Sequence, residues 1–281
     1  METNEQQTSE FYGVIRNVKS FLSLTKCINI KNIATCYIYD EGMTLTVEES
    51  RCVKATAYFR RHMFQAYSKQ ANTEIPMFGL PLNALIDCFG LMVPHTSNSK
   101  SQVDSCEIRY NGPGSYFVLK RFDRDFGQTI HCKLKPMEPQ EEDVDTILTG
   151  TNTNNQKMIL KSDWLKSVFE DLDKSHQRIT LNFSPNDPSL TLTAIGPTSK
   201  WESSYPQSSE PFISFECDRE LTFSYQYDHI KLCKRALEHS IEVSIEVSLN
   251  GVLYLLFQIE GSSSTKDYIE FTFLPIGSTT S

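Results

Sequence analysis

An α+β fold in two repeated domains is what this sequence predicts, and three observations carry it. The segment MFGLPLNALIDCFGLM (77–92) aligns without a gap on TFSYQYDHIKLCKRAL (222–237), so that Phe78 meets Phe223, Leu85 meets Ile230, Cys88 meets Cys233 and Met92 meets Leu237. Around each segment runs one plan of helix, strands, helix, strands over roughly 120 residues, a length that marks a duplicated domain rather than a solenoid of short units. Between the copies lies PMEPQEEDVDTILTGTNTNNQ (136–156), proline-bearing, acidic and then rich in Thr and Asn, with too little apolar content to build a core. With many strands and only two helices per copy, each helix pair is expected to cover one face of an antiparallel sheet. The expected domains are residues 11–136 and 156–276. A linker at 137–155 joins them, and polar tails occupy 1–10 and 277–281.

In the first copy Phe11 to Ile15 reads as a short strand. Val18, Phe21, Leu22, Thr25 and Ile28 recur at helical spacing, which predicts an amphipathic helix over 17–28 with Lys19 and Lys26 on its opposite face. ATCYIY (34–39) and MTLTV (43–47) flank Asp40-Glu41-Gly42, a hairpin signal, and CVKATAYF (52–59) follows as a longer strand. Leu82, Leu85, Ile86 and Phe89 give a second helix whose only charge is Asp87. Three strands close the copy: CEIRY (106–110), SYFVLKRF (115–122) and TIHCKLK (129–135).

In the second copy Leu165, Val168, Phe169 and Leu172 form a helical face. RITLNF (178–183) and LTLTAI (190–195) are strands around a turn at Ser184–Pro188. Lys200 to Tyr205, then PFISFEC (211–217), follow. After the aligned helix come IEVSIEVSL, an Asn250-Gly251 turn, VLYLLFQIE, a Ser-rich turn and YIEFTFLPI.

Composition narrows the function. The 281 residues carry 27 Lys and Arg against 35 Asp and Glu, a net charge of −8, so contact with nucleic acid must come from a local basic face. No apolar run reaches the length of a membrane span and no secretory signal opens the chain, so no membrane partner is expected. Eight cysteines (27, 36, 52, 88, 106, 132, 217, 233) show neither CxxC pairs nor zinc spacing and read as buried thiols of a reducing compartment. No GxxxxGK[ST] phosphate loop exists, and neither metal nor cofactor is expected.

Ala34-Thr35-Cys36, Thr46-Val47-Glu48 followed by Cys52-Val53, Leu85-Ile86-Asp87-Cys88 and the acidic Glu138-Pro139 linker, in this order and spacing, resemble the sliding DNA clamp family. Within it they are most similar to the Rad-one-type subunits of the nine-one-one DNA-damage checkpoint clamp. The resemblance covers about residues 11 to 276 and rests on order and spacing, since no single motif is specific. It implies a DNA-clamp fold, with strands outside and helices lining a channel for duplex DNA. It further implies a non-catalytic nuclear subunit of a heterotrimeric ring with Rad-nine-like and Hus-one-like partners. A dedicated checkpoint clamp loader would place that ring on double-stranded DNA, without sequence preference, in support of checkpoint signalling and repair.

The residues that this reading singles out fall in three groups. The channel candidates are Lys19, Lys26, Lys161, Lys166, Lys174, Lys231, Lys234 and Arg235. Of these, Lys231, Lys234 and Arg235 fall at i, i+3 and i+4, opposite Ile230, Cys233 and Leu237. From the residues alone such a face reads as merely solvated; the resemblance reverses that reading and turns it toward the channel. The first copy departs from it, with Ile86, Phe89 and Gly90 in place of Lys231, Lys234 and Arg235, and Asp173 in place of Lys26. The resemblance also implies edge-to-edge sheet contacts, with Tyr268–Pro275 beside Val53–Arg60 within the chain. Two different partner subunits would then meet Thr129, Ile130, His131, Cys132, Lys133 and Leu134 on one edge, and Lys200, Trp201, Ser203 and Tyr205 on the other. Finally, Val144, Ile147 and Leu148 of the linker, with Phe271, Phe273, Leu274 and Pro275, match a family pocket for aromatic-bearing peptides of repair enzymes. A linker simply pinned to its own sheet fits the same residues.

Two other classes stay open at this stage. A 3'-5' exodeoxyribonuclease would need three or four converging carboxylates, and the close pairs are Asp123/Asp125 and Glu48/Glu49. A protein-only scaffold would need none of the basic face.

Overall fold

The computed structural model describes residues 10–70, 74–93, 106–123, 127–140, 156–172, 176–260 and 266–277. The chain divides into two compact units, Met1–Val47 with Ala57–Glu141 and Glu48–Thr56 with Glu142–Ser281. Strand β4 below is therefore apportioned between them.

The first unit runs β1 (Phe11–Ile15), α1 (Val18–Cys27), β2 (Ile33–Tyr39), β3 (Gly42–Glu49), β4 (Val53–Arg60), a 3-10 turn (Arg61–Met63), β5 (Phe64–Lys69), β6 (Phe78–Pro81), α2 (Leu82–Met92), β7 (Cys106–Tyr110), β8 (Phe117–Asp123) and β9 (Gln128–Leu134). Its strands are ordered β5-β1-β7-β8-β9 and β4-β3-β2-β6. The β2–β3 hairpin closes on Tyr39 opposite Gly42 around Asp40-Glu41. Gly42 holds φ +145°, and a Cβ there would lie 2.3 Å from the Phe59 carbonyl, so the turn and the neighbouring strand both require glycine. The core gathers on Phe21 of α1. Its ring stacks on Phe59 at 4.6 Å and meets Phe64 at 5.2 Å and Phe89 of α2 at 5.9 Å, an arrangement worth about 0.5–1.5 kcal/mol per aromatic pair beyond area burial.

The second unit runs β10 (Gln156–Lys161), α3 (Ser162–Asp171), β11 (Arg178–Phe183), β12 (Leu190–Ile195), β13 (Lys200–Tyr205), β14 (Phe212–Glu216), β15 (Leu221–Gln226), α4 (Tyr227–Ile230), a 3-10 turn (Lys231–Cys233), α5 (Lys234–His239), β16 (Ser240–Val247), β17 (Leu253–Glu260) and β18 (Lys266–Phe273). Its strand orders, β14-β10-β16-β17-β18 and β13-β12-β11-β15, repeat those of the first unit with every label advanced by nine. Within this unit the Leu274 N–H donates to the Cys52 carbonyl at 2.9 Å.

Four strands were not legible from pattern. β5 has only Phe64 buried, and β15 only Tyr225. β6 spans four residues. β10 hides behind Gln156, a buried polar residue whose Oε1 accepts the Asp218 N–H at 2.6 Å. Strands with one polar or short face lack the period-2 signal.

A second correspondence extends the repeat past the sheets. After β9, Met137 and Gly79 exchange two backbone hydrogen bonds, each 2.9 Å, and Thr35 Oγ1 donates to the Gln140 carbonyl at 3.1 Å. After β18, the Ile276 N–H donates to the carbonyl of Ser224, the residue that aligns with Gly79. All eight cysteines are free thiols. No helix among the described residues is long and apolar enough to cross a membrane.

Candidate nucleic-acid interface

In the first unit, α1 starts at Asn17, whose Oδ1 accepts the N–H groups of Lys19 and Ser20 at 2.9 and 3.3 Å. Val18, Phe21, Leu24, Thr25 and Cys27 are buried, which leaves Lys19 exposed and Lys26 half-buried in the last turn. A cation there also suits the negative end of the helix dipole. Helix α2 buries Leu82, Leu85, Phe89 and Met92. Its outward surface carries Asp87, Gly90 and Leu91, the last 56% exposed, and no cation.

In the second unit α3 buries Ser162, Leu165, Val168 and Phe169. The Ser240 hydroxyl donates to Ser162 Oγ at 2.7 Å, fixing the helix start against the start of β16. Lys166 is 2.9 Å from Asp163 Oδ1 and also donates to the Ser240 carbonyl at 3.4 Å. The ammonium holds the Asp163 carboxyl below its ordinary value, chiefly by that hydrogen bond. Lys161 lies 3.5 Å from Glu210, both exposed, an ion pair of little energetic weight. Lys174 lies outside the described residues, as does Asp173.

The last helix differs from its expected form. Three residues of 3-10 geometry, Lys231–Cys233, separate α4 from α5. Each 3-10 step turns the chain about 120° instead of 100°, so the surface is advanced by about 60° beyond the break. Phe89 and Lys234 occupy the same place in the repeat, yet Phe89 is buried and Lys234 is exposed. The inward places go instead to Cys233 of the turn and to Ala236 and Leu237 of α5. Lys231 and Lys234, three residues apart across the turn, point the same way, with Arg235 exposed beside them. The face expected of Lys231, Lys234 and Arg235 is thus half-buried at Lys231 and exposed at Lys234 and Arg235. It is not fully uncommitted: Lys231 lies 2.5 Å from Asp228 Oδ1 and 5.3 Å from the Tyr227 ring centre. The Lys231 hydrogen bond pulls the Asp228 carboxyl below its ordinary value. Among the described residues Lys19, Lys26 and Lys234 join no ion pair.

The two edge segments end their sheets. β9 closes the order of the first unit, and β13 that of the four-stranded sheet of the second. On β9, Ile130, Cys132 and Leu134 face inward, while Thr129, His131 and Lys133 are exposed. On β13, Trp201, Ser203 and Tyr205 share the face of buried Ala194, Leu192 and Leu190 yet stay half-exposed. Sequence reasoning missed what holds Tyr205: the Trp164 ring of α3 meets it edge-on at 4.7 Å, and Ser203 Oγ donates to its hydroxyl at 2.6 Å. An aromatic at a half-buried helix position was the available signal.

Of the peptide-pocket residues, Val144, Ile147 and Leu148 lie outside the described residues. Phe271 and Phe273 are fully buried core rings 6.0 Å apart, Leu274 is buried and Pro275 half-buried. Of the acidic pairs, Asp125 and the Asp123 side chain are not described. Glu48 is buried 3.9 Å from Lys54, and Glu49 accepts the Ser50 hydroxyl at 2.7 Å. Among the described residues, no group of three or more His, Cys, Asp or Glu side chains could hold a metal ion.

Against known proteins, residues 10–259 match the family model described as "Repair protein Rad1/Rec1/Rad17". The chain is 28% identical to the cell cycle checkpoint protein RAD1 of Mus musculus, over 97% of this chain and 95% of the mouse protein. It is 26% identical to the DNA damage checkpoint control protein rad1 of Schizosaccharomyces pombe, over 92% of this chain and 84% of that protein. Its fold is that of the sliding clamps. The crystal structure of PCNA from Thermococcus kodakaraensis matches with a TM-score of 0.71 at 15% identity, over 94% of this chain and 99% of that one.

Proposed function

The chain belongs to the Rad1/Rec1/Rad17 family of repair proteins, and on that premise we propose that it is one subunit of a heterotrimeric DNA-damage checkpoint clamp, closed around duplex DNA. The observation that carries this reading is the near full-length match to checkpoint proteins by a chain whose clamp fold repeats strand for strand. The ring's other members are Rad-nine-like and Hus-one-like subunits, a checkpoint clamp loader sets it on DNA in the nucleus, and the subunit itself performs no catalysis.

In this reading Lys19, Lys26, Lys161, Lys166, Lys174, Lys231, Lys234 and Arg235 meet phosphates. Such contact is electrostatic and sequence-independent, which suits a ring that slides. The exposed cations of α1 and α5 support it. The β9 and β13 edges meet two different neighbours, because an unpaired strand edge is a ready template for another chain. Val144, Ile147, Leu148, Phe271, Phe273, Leu274 and Pro275 border the site for repair-enzyme peptides.

The test is topological. The chain, assembled with its two partner subunits and loaded onto nicked circular DNA, stays bound, and it is lost when the circle is cut to a linear form. Equal retention on both forms rules out encirclement. Metal-dependent shortening of DNA by the pure chain favours the nuclease instead.

A further inference from the structure

We propose that the β9 edge chooses its neighbour by charge, taking a strand of the adjoining clamp subunit that carries carboxylates on the outer sheet face. The inference rests on the ring reading above and adds the chemistry of one of its contacts.

Strand β9 pairs with β8 on one side and ends its sheet on the other. From Gln128 to Lys135 it contains no carboxylate, although the chain as a whole carries −8. Its outward side chains are Thr129, His131 and Lys133, all exposed, with exposed Lys135 just beyond. On β8, Lys120 stands directly across from His131 and Val118 across from Lys133. Glu107 stands across from Lys120 on β7, but its Oε2 is taken by Arg109 at 3.1 Å. Among the described residues Lys120, Lys133 and Lys135 join no ion pair. Cations gathered on a strand pair repel one another until an opposite charge arrives.

The repeat supplies two controls. β18 is the counterpart of β9, and its ladder with β17 places Tyr268, Glu270 and Thr272 where β9 has Thr129, His131 and Lys133. The same ladder position thus carries a carboxylate in β18 and an imidazole in β9. The β13 edge, in contrast, is neutralised internally, with Lys200 Nζ 2.6 Å from Glu202 Oε2, and offers Trp201 and Tyr205 as apolar anchors. The two outward edges therefore differ in kind, β9 sorting by charge and β13 by fit, which is what two dissimilar neighbours require.

The experiment measures binding of the chain to each of its two partner subunits separately, across salt concentrations. Lys133→Glu with Lys135→Glu is expected to weaken one contact about tenfold or more at low salt and to leave the other unchanged. Acid-to-lysine changes on the facing partner strand should restore it. The wild-type contact through β9 should weaken steeply with salt and the β13 contact little. If the double variant binds both partners at wild-type strength, the lysines serve only to keep the edge from aggregating, and charge selection falls while the ring stands. If Cys132→Pro, in a chain that still folds, also leaves both contacts intact, the ring reading itself falls.

Discussion

Gly79 and Met137 hold one another by two backbone hydrogen bonds of 2.9 Å each, and the pairing leaves no room for a side chain at position 79. A Cβ there would lie 2.6 Å from the Glu138 carbonyl oxygen. Glycine is needed for the close approach of the segment that leaves β9, and the hydrogen bonds fix where the interdomain linker departs from the β6 edge. In the second copy the matching bond, Ile276 to Ser224, is single and tolerates a side chain.

Gly79→Ala should therefore release this segment. A loss of about 1–3 kcal/mol is expected, as for other changes that force backbone to shift. Hydrogen exchange at the Met137 amide should accelerate sharply, while the β2–β3 hairpin stays protected. Wild-type protection at Met137 in the variant would contradict the proposed close approach.

For DNA, the cations should not contribute equally. Lys234→Ala should lower the salt slope of DNA binding by the assembled ring by roughly one unit, about 0.9 per lost phosphate contact. Lys231→Ala should do less, because Asp228 already holds that ammonium at 2.5 Å. Asp228→Asn should then strengthen retention by releasing Lys231. Equal effects of the Lys234 and Lys231 changes, or no gain from Asp228→Asn, would show that the ion pair does not govern the face.

Alkaline pH should destabilise both units. Burial pushes the Cys106 thiol up to about 12, and raises those of Cys36 and Cys233 further. The unfolded chain ionises these groups near 8.5, so it binds fewer protons than the native state above that pH. Their stabilising contribution is complete below the unfolded value and is lost as pH rises toward 12, by about 1.4 kcal/mol per unit for each buried thiol. Urea midpoints measured from pH 7 to 11 should fall progressively above pH 8.5. Replacing Cys36 and Cys233 by Ala should flatten the decline, and a flat profile in the wild type would refute it.

Trp164→Ala should loosen Tyr205 and with it the β13 edge. Binding to one partner subunit is expected to weaken several-fold while the β9 contact is preserved. Ser203→Pro, which removes a backbone donor from an edge strand, should abolish the same contact. Loss of the β9 partner by either change would mean that the two edges are not independent.

The sequence by itself determined the duplication, the clamp fold and most element boundaries. The Leu85/Ile230 and Met92/Leu237 correspondences record the same buried positions in both copies, and buried apolar periodicity is what sequence patterns report. Strands β11, β12 and β13 fall where alternation puts them. Only the tertiary structure decided the rest. Lys234 escapes the buried face that its counterpart Phe89 occupies because a 3-10 turn advances the helix surface by about 60°. Lys166 and Lys231 pair with Asp163 and Asp228, each three residues earlier, so these ion pairs were legible in the spacing although the basic face was read without them. The Gly79 pairing, by contrast, joins residues far apart along the chain. Periodicity encodes which side of an element is buried, whereas close backbone approach depends on what is packed against it.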